Sequence, residues 1–468
     1  MPFSALNGRL RASPARRRNP DPGEKMIRLI FAALLVFVVA MPARATGRIE
    51  KVVSPSGITA WLVHEPSIPI IALEAYWEGG ARLDPKGREG LANMVSGLLD
   101  EGAGDLSSEA FQLRLQETAT QLSFDAGRDS FTASMRALSQ NRDAAFGLLA
   151  KALQVPRFDA APVERIRAQI ISGLRARARD QREIARRALY ETAFGDQPYA
   201  RPVEGTEQSV AAITRDDLAG FVRRRLTRAN LTLAVVGDIT AAELSKRLEQ
   251  VFAPLPAAPA GPDTGPQKVV GGGVLRRIAY ETPQSQVYIG FPGLMRDDPD
   301  FDAARVMTYI LGGSGFVSRL GQEVREKRGL TYSIFAAQVP MRKSALYLIG
   351  FSSANKTVAE ALAVTRRELL RMRDEGVSDK ELKAAKTYLN GSFPLSLSSN
   401  ANIARLLIAI QVNNLGIDYI QRRPERINAV TREDIARVAK RLIVPQKMFA
   451  VVVGKPDGDL KAVLKGAP

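Results

Sequence analysis

The chain has no cysteine and a single histidine, His64, in 468 residues. The first absence removes disulfide bonding as a source of stability, which a core of this size can do without. Together the two absences remove the thiolates and paired imidazoles from which most zinc sites are built. Acidic residues are also scarce, 49 against 66 Lys and Arg, giving a formal charge of +17. Such an excess suits anionic surfaces or acidic peptides. No Gly-Lys-Ser/Thr ending follows any glycine-rich loop, so no phosphate loop is present. The 45% hydrophobic and 25% charged content is that of a folded protein and excludes disordered or collagen-like chains.

The first 45 residues stand apart. Arg9 to Arg28 is basic and loop-like, Leu29 to Met41 is a run of 13 apolar residues, and Ala43-Arg44-Ala45 closes it. This is the order of a secretory signal peptide, with Met26 a second possible start. The run is shorter than the about 20 apolar residues a permanent span needs, and an N-terminal membrane anchor is the alternative reading. The segment carries eight Lys and Arg against Asp21 and Glu24, so its removal takes away six charges and leaves about +11. A secreted protein makes nucleic acid the least expected partner.

In the mature chain, Gly57 to His64 and Ile68 to Trp77 read as paired strands around Glu65-Pro66-Ser67. His64, at the turn, reads as a surface or hydrogen-bonded loop residue. A short apolar helix is expected over Gly90 to Leu99, a hairpin over Leu122 to Met135, and a long basic helix from Pro162 to Arg187. The strongest organisational signal is a repeat. Ile213-Thr214-Arg215-Asp216-Asp217-Leu218 matches Val430-Thr431-Arg432-Glu433-Asp434-Ile435, and Leu233 to Gly237 matches Ala450 to Gly454, both at an offset of 217. Each block is a threonine-capped helix followed by a β-branched strand ending in glycine. The chain therefore reads as a tandem duplication of an α+β unit, residues 46–252 and 274–468, joined by a Pro/Ala/Gly-rich linker over 253–273. In the second unit a helix from Phe301 to Leu311 stops at Gly312-Gly313-Ser314-Gly315, a loop that either ends the helix or admits a substrate backbone. A helix over Ser318 to Arg328, a strand pair from Leu330 to Phe351 and three or four helices over Thr357 to Leu442 complete the reading.

Two stretches carry a resemblance to a known family. Gly90-Leu91-Ala92-Asn93-Met94-Val95-Ser96-Gly97 resembles the first active-site helix of the pitrilysin/insulinase (inverzincin) zinc peptidases, where His-x-x-Glu-His supplies two ligands and a general base. Asn93, Ser96 and Gly97 stand at those three places, and an amide, a hydroxyl and a hydrogen do not replace two imidazoles and a base. The family's third ligand, a glutamate on a later helix, falls in Ile170 to Leu174, which has no carboxylate. The segment Ser318 to Tyr332 resembles the second-domain motif, in which an arginine and a tyrosine seven residues on reach peptide held at the zinc. Arg325 and Tyr332 occupy those places.

The resemblance runs over residues 48–455 and implies two homologous domains, each an antiparallel sheet covered by helices. With the signal-like segment the chain reads as secreted and periplasmic, and the resemblance further implies the non-zinc type, like that subunit of mitochondrial processing peptidase and its bacterial two-subunit relatives. On that reading the chain itself holds no cofactor. Its partner is a homologous zinc-bearing peptidase chain, and its substrate a peptide or unfolded polypeptide. A non-catalytic binding or scaffold protein, with Arg325 and Tyr332 as remnants, is the alternative.

Overall fold

The computed structural model describes residues 48–257, 263–313 and 317–465. The expected signal segment lies outside them. The first half builds six strands, β1 (Ile49–Val53), β2 (Thr59–His64), β3 (Ile70–Glu78), β4 (Gln121–Ala126), β5 (Ser130–Leu138) and β6 (Leu231–Gly237). The second builds β7 (Leu275–Ile278), β8 (Gln284–Pro292), β9 (Ile334–Pro340), β10 (Ala345–Ala354) and β11 (Phe449–Val453). Their orders are β1-β2-β6-β3-β5-β4 and β7-β11-β8-β10-β9, so beyond β1 the two sheets have the same topology. In each, the inserted strand runs parallel to one neighbour and antiparallel to the other. The fold is α+β with two homologous mixed sheets.

The repeat blocks occupy equivalent places. Thr214 and Thr431 each cap a helix, Arg215–Arg225 and Arg432–Leu442, in reciprocal boxes with Asp217 and Asp434. Gly237 and Gly454 end the strands that follow with φ of 139° and 144°. At Gly237 a Cβ would stand 2.1 Å from the Ile70 carbonyl oxygen, so close strand approach requires glycine there.

One face of each sheet packs on its own half. Leu62 and Val235 meet Phe146, Leu149, Leu244 and Leu248 in the first core, and Ile289 and Val452 meet Met307, Leu362 and Val438 in the second. The opposite faces are covered by exchange. Helix Asn400–Val412 sets Ala404, Leu407 and Ile410 against Val63, Ala234 and Val236 of the first sheet. Helix Gln181–Phe194 sets Ala185 and Ala188 against Val451 and Val453, and Leu189 and Phe194 against Leu346 and Phe449, of the second. Each exchanged helix also starts on a side-chain amide given to the other half, Gln181 to the carbonyls of Gln284 and Val453 and Asn400 to that of Ile70. A polar cluster ties the halves elsewhere: Asp129 forms an ion pair with Arg82 at 3.0 Å and accepts from the Tyr199 hydroxyl at 2.6 Å and from the Arg342 amide at 3.0 Å. Asp263, in the connecting segment, pairs with Arg82 at 2.5 Å and with Lys343.

Several expectations are corrected. β2 and β3 are not partners, because β6 lies between them; its Leu233 to Gly237 run is buried on both faces and so takes a central place. The long basic helix is two, Ala160–Arg177 and Gln181–Phe194, because the Asp180 carboxylate accepts the Arg182 and Glu183 amides and starts a new helix. The apolar helix is only Leu91–Ser96. Five helices, rather than three or four, lie between Val358 and Leu442. The strand after Tyr332 begins at Ile334, since the Thr331 hydroxyl bonds the Ser333 and Ser352 carbonyls and holds residues 331–333 as a loop.

Leu407 is fully buried under the first half's sheet although it belongs to the second half. Leu407→Ala is expected to cost about 2 to 5 kcal/mol in urea unfolding and to speed hydrogen exchange of β3 and β6 amides; exchange that rises only within the second half would contradict the shared core.

Candidate functional site

Asn93, Ser96 and Gly97 lie together, half-buried, on helix Leu91–Ser96 and the turn that ends it. The Ser96 hydroxyl is turned back to the Asn93 carbonyl at 2.8 Å. A Cβ at Gly97 would meet Ile166 Cγ2, on helix Ala160–Arg177, at 3.4 Å. That helix carries the region of the family's third ligand, where Ile170 packs on the first core, Ser172 is exposed and Gly173 has open space beside it. An amide, an internally bonded hydroxyl and a bare Cα offer no ligand set for zinc, so these positions do not fit the metal the family's active members carry.

The helix is still held in place with care. The Asp84 carboxylate, 4% exposed, accepts from the Gly90 amide at 3.0 Å and the Ala92 amide at 3.2 Å, serving as a cap from outside the helix. Gly90 sits at φ 92°, where a Cβ would strike the Glu204 carbonyl oxygen. Burial pushes the Asp84 carboxyl up to about 7, against the pull of the Ala92 and Gly90 amides and Arg201. Nothing in the Leu83-Asp84-Pro85 sequence signals this role, which depends on tertiary approach.

In the second half, residues Gly321–Glu326 form a π-helical segment, a form frequent at functional sites, with Arg325 in its last turn. Gly329, at φ 62°, reverses the chain, and its amide bonds the Arg325 carbonyl at 2.8 Å. Leu330 is buried in the second core and Thr331 is pinned to β10. Between these anchors and β9, Tyr332 is thrown into solvent, 86% exposed. The Arg325 guanidinium stands 4.9 Å from the Tyr332 ring centroid and 3.3 Å from the Glu326 carboxylate. Neighbouring cations are engaged: Glu323 takes Lys327 at 2.6 Å and Arg328 at 2.7 Å, which hold its carboxyl down at about 2. Behind them Arg319 forks onto Glu381 at 2.7 and 2.9 Å.

Gly312 is buried and Gly313 half-buried, and a Cβ on Gly312 would stand 2.5 Å from the Ala336 amide of β9. Ser314 and Gly315 lie outside the described residues. His64 donates from Nδ1 to the Ile239 carbonyl at 2.9 Å. The basic stretches are tied to carboxylates, Arg175 to Glu207, Arg187 to Glu191 and Arg371 to Glu375 among them. Arg325 and Tyr332 are thus brought together, and Asn93, Ser96 and Gly97 are brought together. The two groups are built into different halves: helix Leu91–Ser96 packs on β4 and helix Arg215–Arg225, the π segment on β9 and helix Val358–Glu375.

Two models of one peptidase family match consecutive stretches. Residues 61–207 match the insulinase, or M16, peptidase family and residues 212–389 its inactive domain, together more than two thirds of the chain. The chain belongs to the M16 peptidase family. Among relatives, the non-peptidase homologue YmxG of Helicobacter pylori is 26% identical over 80% of this chain and 87% of its own. An uncharacterised zinc protease of Streptomyces coelicolor is 24% identical over 87% and 90%. A solved M16 inactive domain from Pseudomonas fluorescens matches with a TM-score of 0.82 at 27% identity, covering 88% of this chain and 98% of that one. With the zinc motif replaced, this chain is an M16 homologue of the inactive type.

The Asp84 carboxyl gives a pH signature. An unfolded aspartate ionises near pH 4, so from there to about pH 7 the folded chain holds the extra proton. The stability this contributes is complete below about pH 4 and is lost as pH rises through about 7. Asp84→Asn, which keeps an acceptor for the two amides, is expected to flatten the fall in urea midpoint between about pH 5 and pH 8; parallel pH profiles for the two proteins would contradict the assignment.

Proposed function

We propose that this chain is the substrate-contacting, non-zinc subunit of a heteromeric M16 peptidase, acting on peptide or unfolded polypeptide outside the cytoplasm. The observation that carries the reading is a split. The first half has none of the residues that make the family's zinc site, while the second half sets Arg325, in the π-helical segment, beside Tyr332, on a loop held by two buried neighbours. A half-buried arginine beside an exposed tyrosine is of no use to a centre this chain does not have. It is suited to a peptide held at the centre of a homologous zinc-bearing chain. There the guanidinium donates to a backbone carbonyl, and the phenol donates to the oxygen on which negative charge develops during hydrolysis. The signal-like first 45 residues support export, and the periplasm is the compartment we assign. Gly312 and Gly313 end a helix against β9 in the same half, and we assign the stretch from Gly312 to Gly315 to the peptide path.

A second reading, a binding or scaffold protein with the peptidase fold, is favoured by the name of one relative, a non-peptidase homologue. The two readings part on Tyr332. Tyr332→Phe removes one hydroxyl from a side chain with little packing, so folding and assembly are expected to survive. Losing a donor of this kind costs about 10²- to 10³-fold in turnover, roughly 3 to 4 kcal/mol. Peptide hydrolysis by the chain reconstituted with its zinc-bearing partner measures it, with assembly followed by size-exclusion chromatography. Unchanged turnover in both Tyr332→Phe and Arg325→Ala would favour the scaffold.

A further inference from the structure

The halves repeat strand for strand except at one edge. In the first sheet β1 adds to the outside of β2, with Val52 opposite Ala60, and Ala60 opposite Leu233 of β6. The offset of 217 carries Leu233 onto Ala450, which stands opposite Leu275 of β7. Leu275 is therefore the counterpart of Ala60, and the counterpart of Val52 would lie just outside it. Among the described residues no strand lies there, since β7 is the edge of its sheet. A groove of about 300 Å³ runs beside the start of β7 and past β11 to helix Leu460–Lys465, with Val274, Leu275, Met448 and Leu464 among its apolar residues, Arg366 and Lys461 on its walls and no carboxylate in its lining. Arg366 also donates from Nε to the Leu464 carbonyl at 3.2 Å. The wall formed by helix Leu460–Lys465 corresponds to helix Ala241–Phe252, against which β1 rests in the first half.

The backbone of β7 is presented for pairing. The Ala450 and Gly454 amides take the carbonyls of Val274 and Ile278, each at 2.9 Å, so residues 274, 276 and 278 bond inward. Hydrogen-bonding groups alternate along a strand, and those of Leu275 and Arg277 point to the open edge. In the first half the same edge is closed by five residues of β1.

We propose that this edge receives an extended segment of another polypeptide, added antiparallel to β7 as β1 is added to β2. An apolar residue takes Val52's place over Leu275, and carboxylates at its same-face neighbours meet Arg366 and Lys461. Main-chain bonds give affinity in such strand addition, and alternate side chains give specificity. The competing account is that Arg276 and Arg277 only guard a short edge against pairing.

The probe is a fluorescent, end-blocked peptide of sequence Thr-Glu-Thr-Val-Thr-Glu-Thr, titrated against the full chain by anisotropy. Saturable binding with a Kd below about 100 µM is expected, a weak but specific affinity. Arg277→Pro removes an outward N–H while sparing the ladder to β11, and is expected to weaken binding at least about tenfold. Lys461→Glu, at an exposed side chain, is expected to weaken this peptide and to strengthen its Lys-for-Glu counterpart; it keeps the test decisive if Arg277→Pro disturbs the strand. No saturable binding up to about 1 mM, or binding that both variants leave unchanged, would overturn the proposal and leave the guarded edge.

Discussion

Helix Asn400–Val412 lies on the face of the first sheet that its own half leaves bare, and helix Gln181–Phe194 does the same for the second. This exchange is the constraint on which the rest depends. A sheet apolar on both faces needs two covers, and in each half the helices local to it supply one. Leu233 to Gly237 of β6 and the whole of β11 consequently read as unbroken apolar runs, the pattern of strands buried on both sides. Neither half completes its own burial, so the two share one folding free energy. The amides of Gln181 and Asn400, seated at matching ends of the opposite sheets, fix the register of the exchange.

Rigidity at that junction bears directly on the candidate site. β9 and β10, whose far face is closed by the exchanged helix, anchor Leu330 and Thr331 and so set where Tyr332 stands. The first half is maintained with equal care around a motif that has no metal chemistry. The Asp84 cap and the Gly90 turn preserve the helix, and Ser96 has turned its hydroxyl inward. A buried carboxyl raised to about 7 is tolerated to hold it. That is the arrangement expected where the helix serves as a packing element.

Much of this was legible in the sequence, and the reasons are local. The 217-residue repeat was visible because threonine caps and strand-ending glycines are set by short-range geometry that every copy must satisfy. Asn93, Ser96 and Gly97 were readable as substitutions because donor chemistry is a property of residue type. The order of strands was not readable: β6 enters between β2 and β3 from more than 150 residues away, and periodicity carries no information on neighbours. Asp180 could have been found, as an acid two residues before Arg182 at a helix start. The π form of residues 321–326, the exposure of Tyr332 and the role of Asp84 arise only from packing.

This chain has the M16 fold with Asn93, Ser96 and Gly97 at the places of the zinc motif. The direct measurement is metal content of the purified mature chain after dialysis, with peptide hydrolysis followed in the same sample. The account predicts no stoichiometric zinc and no hydrolysis by the chain alone. One tightly held zinc per chain, with proteolysis that a chelator abolishes, would contradict it.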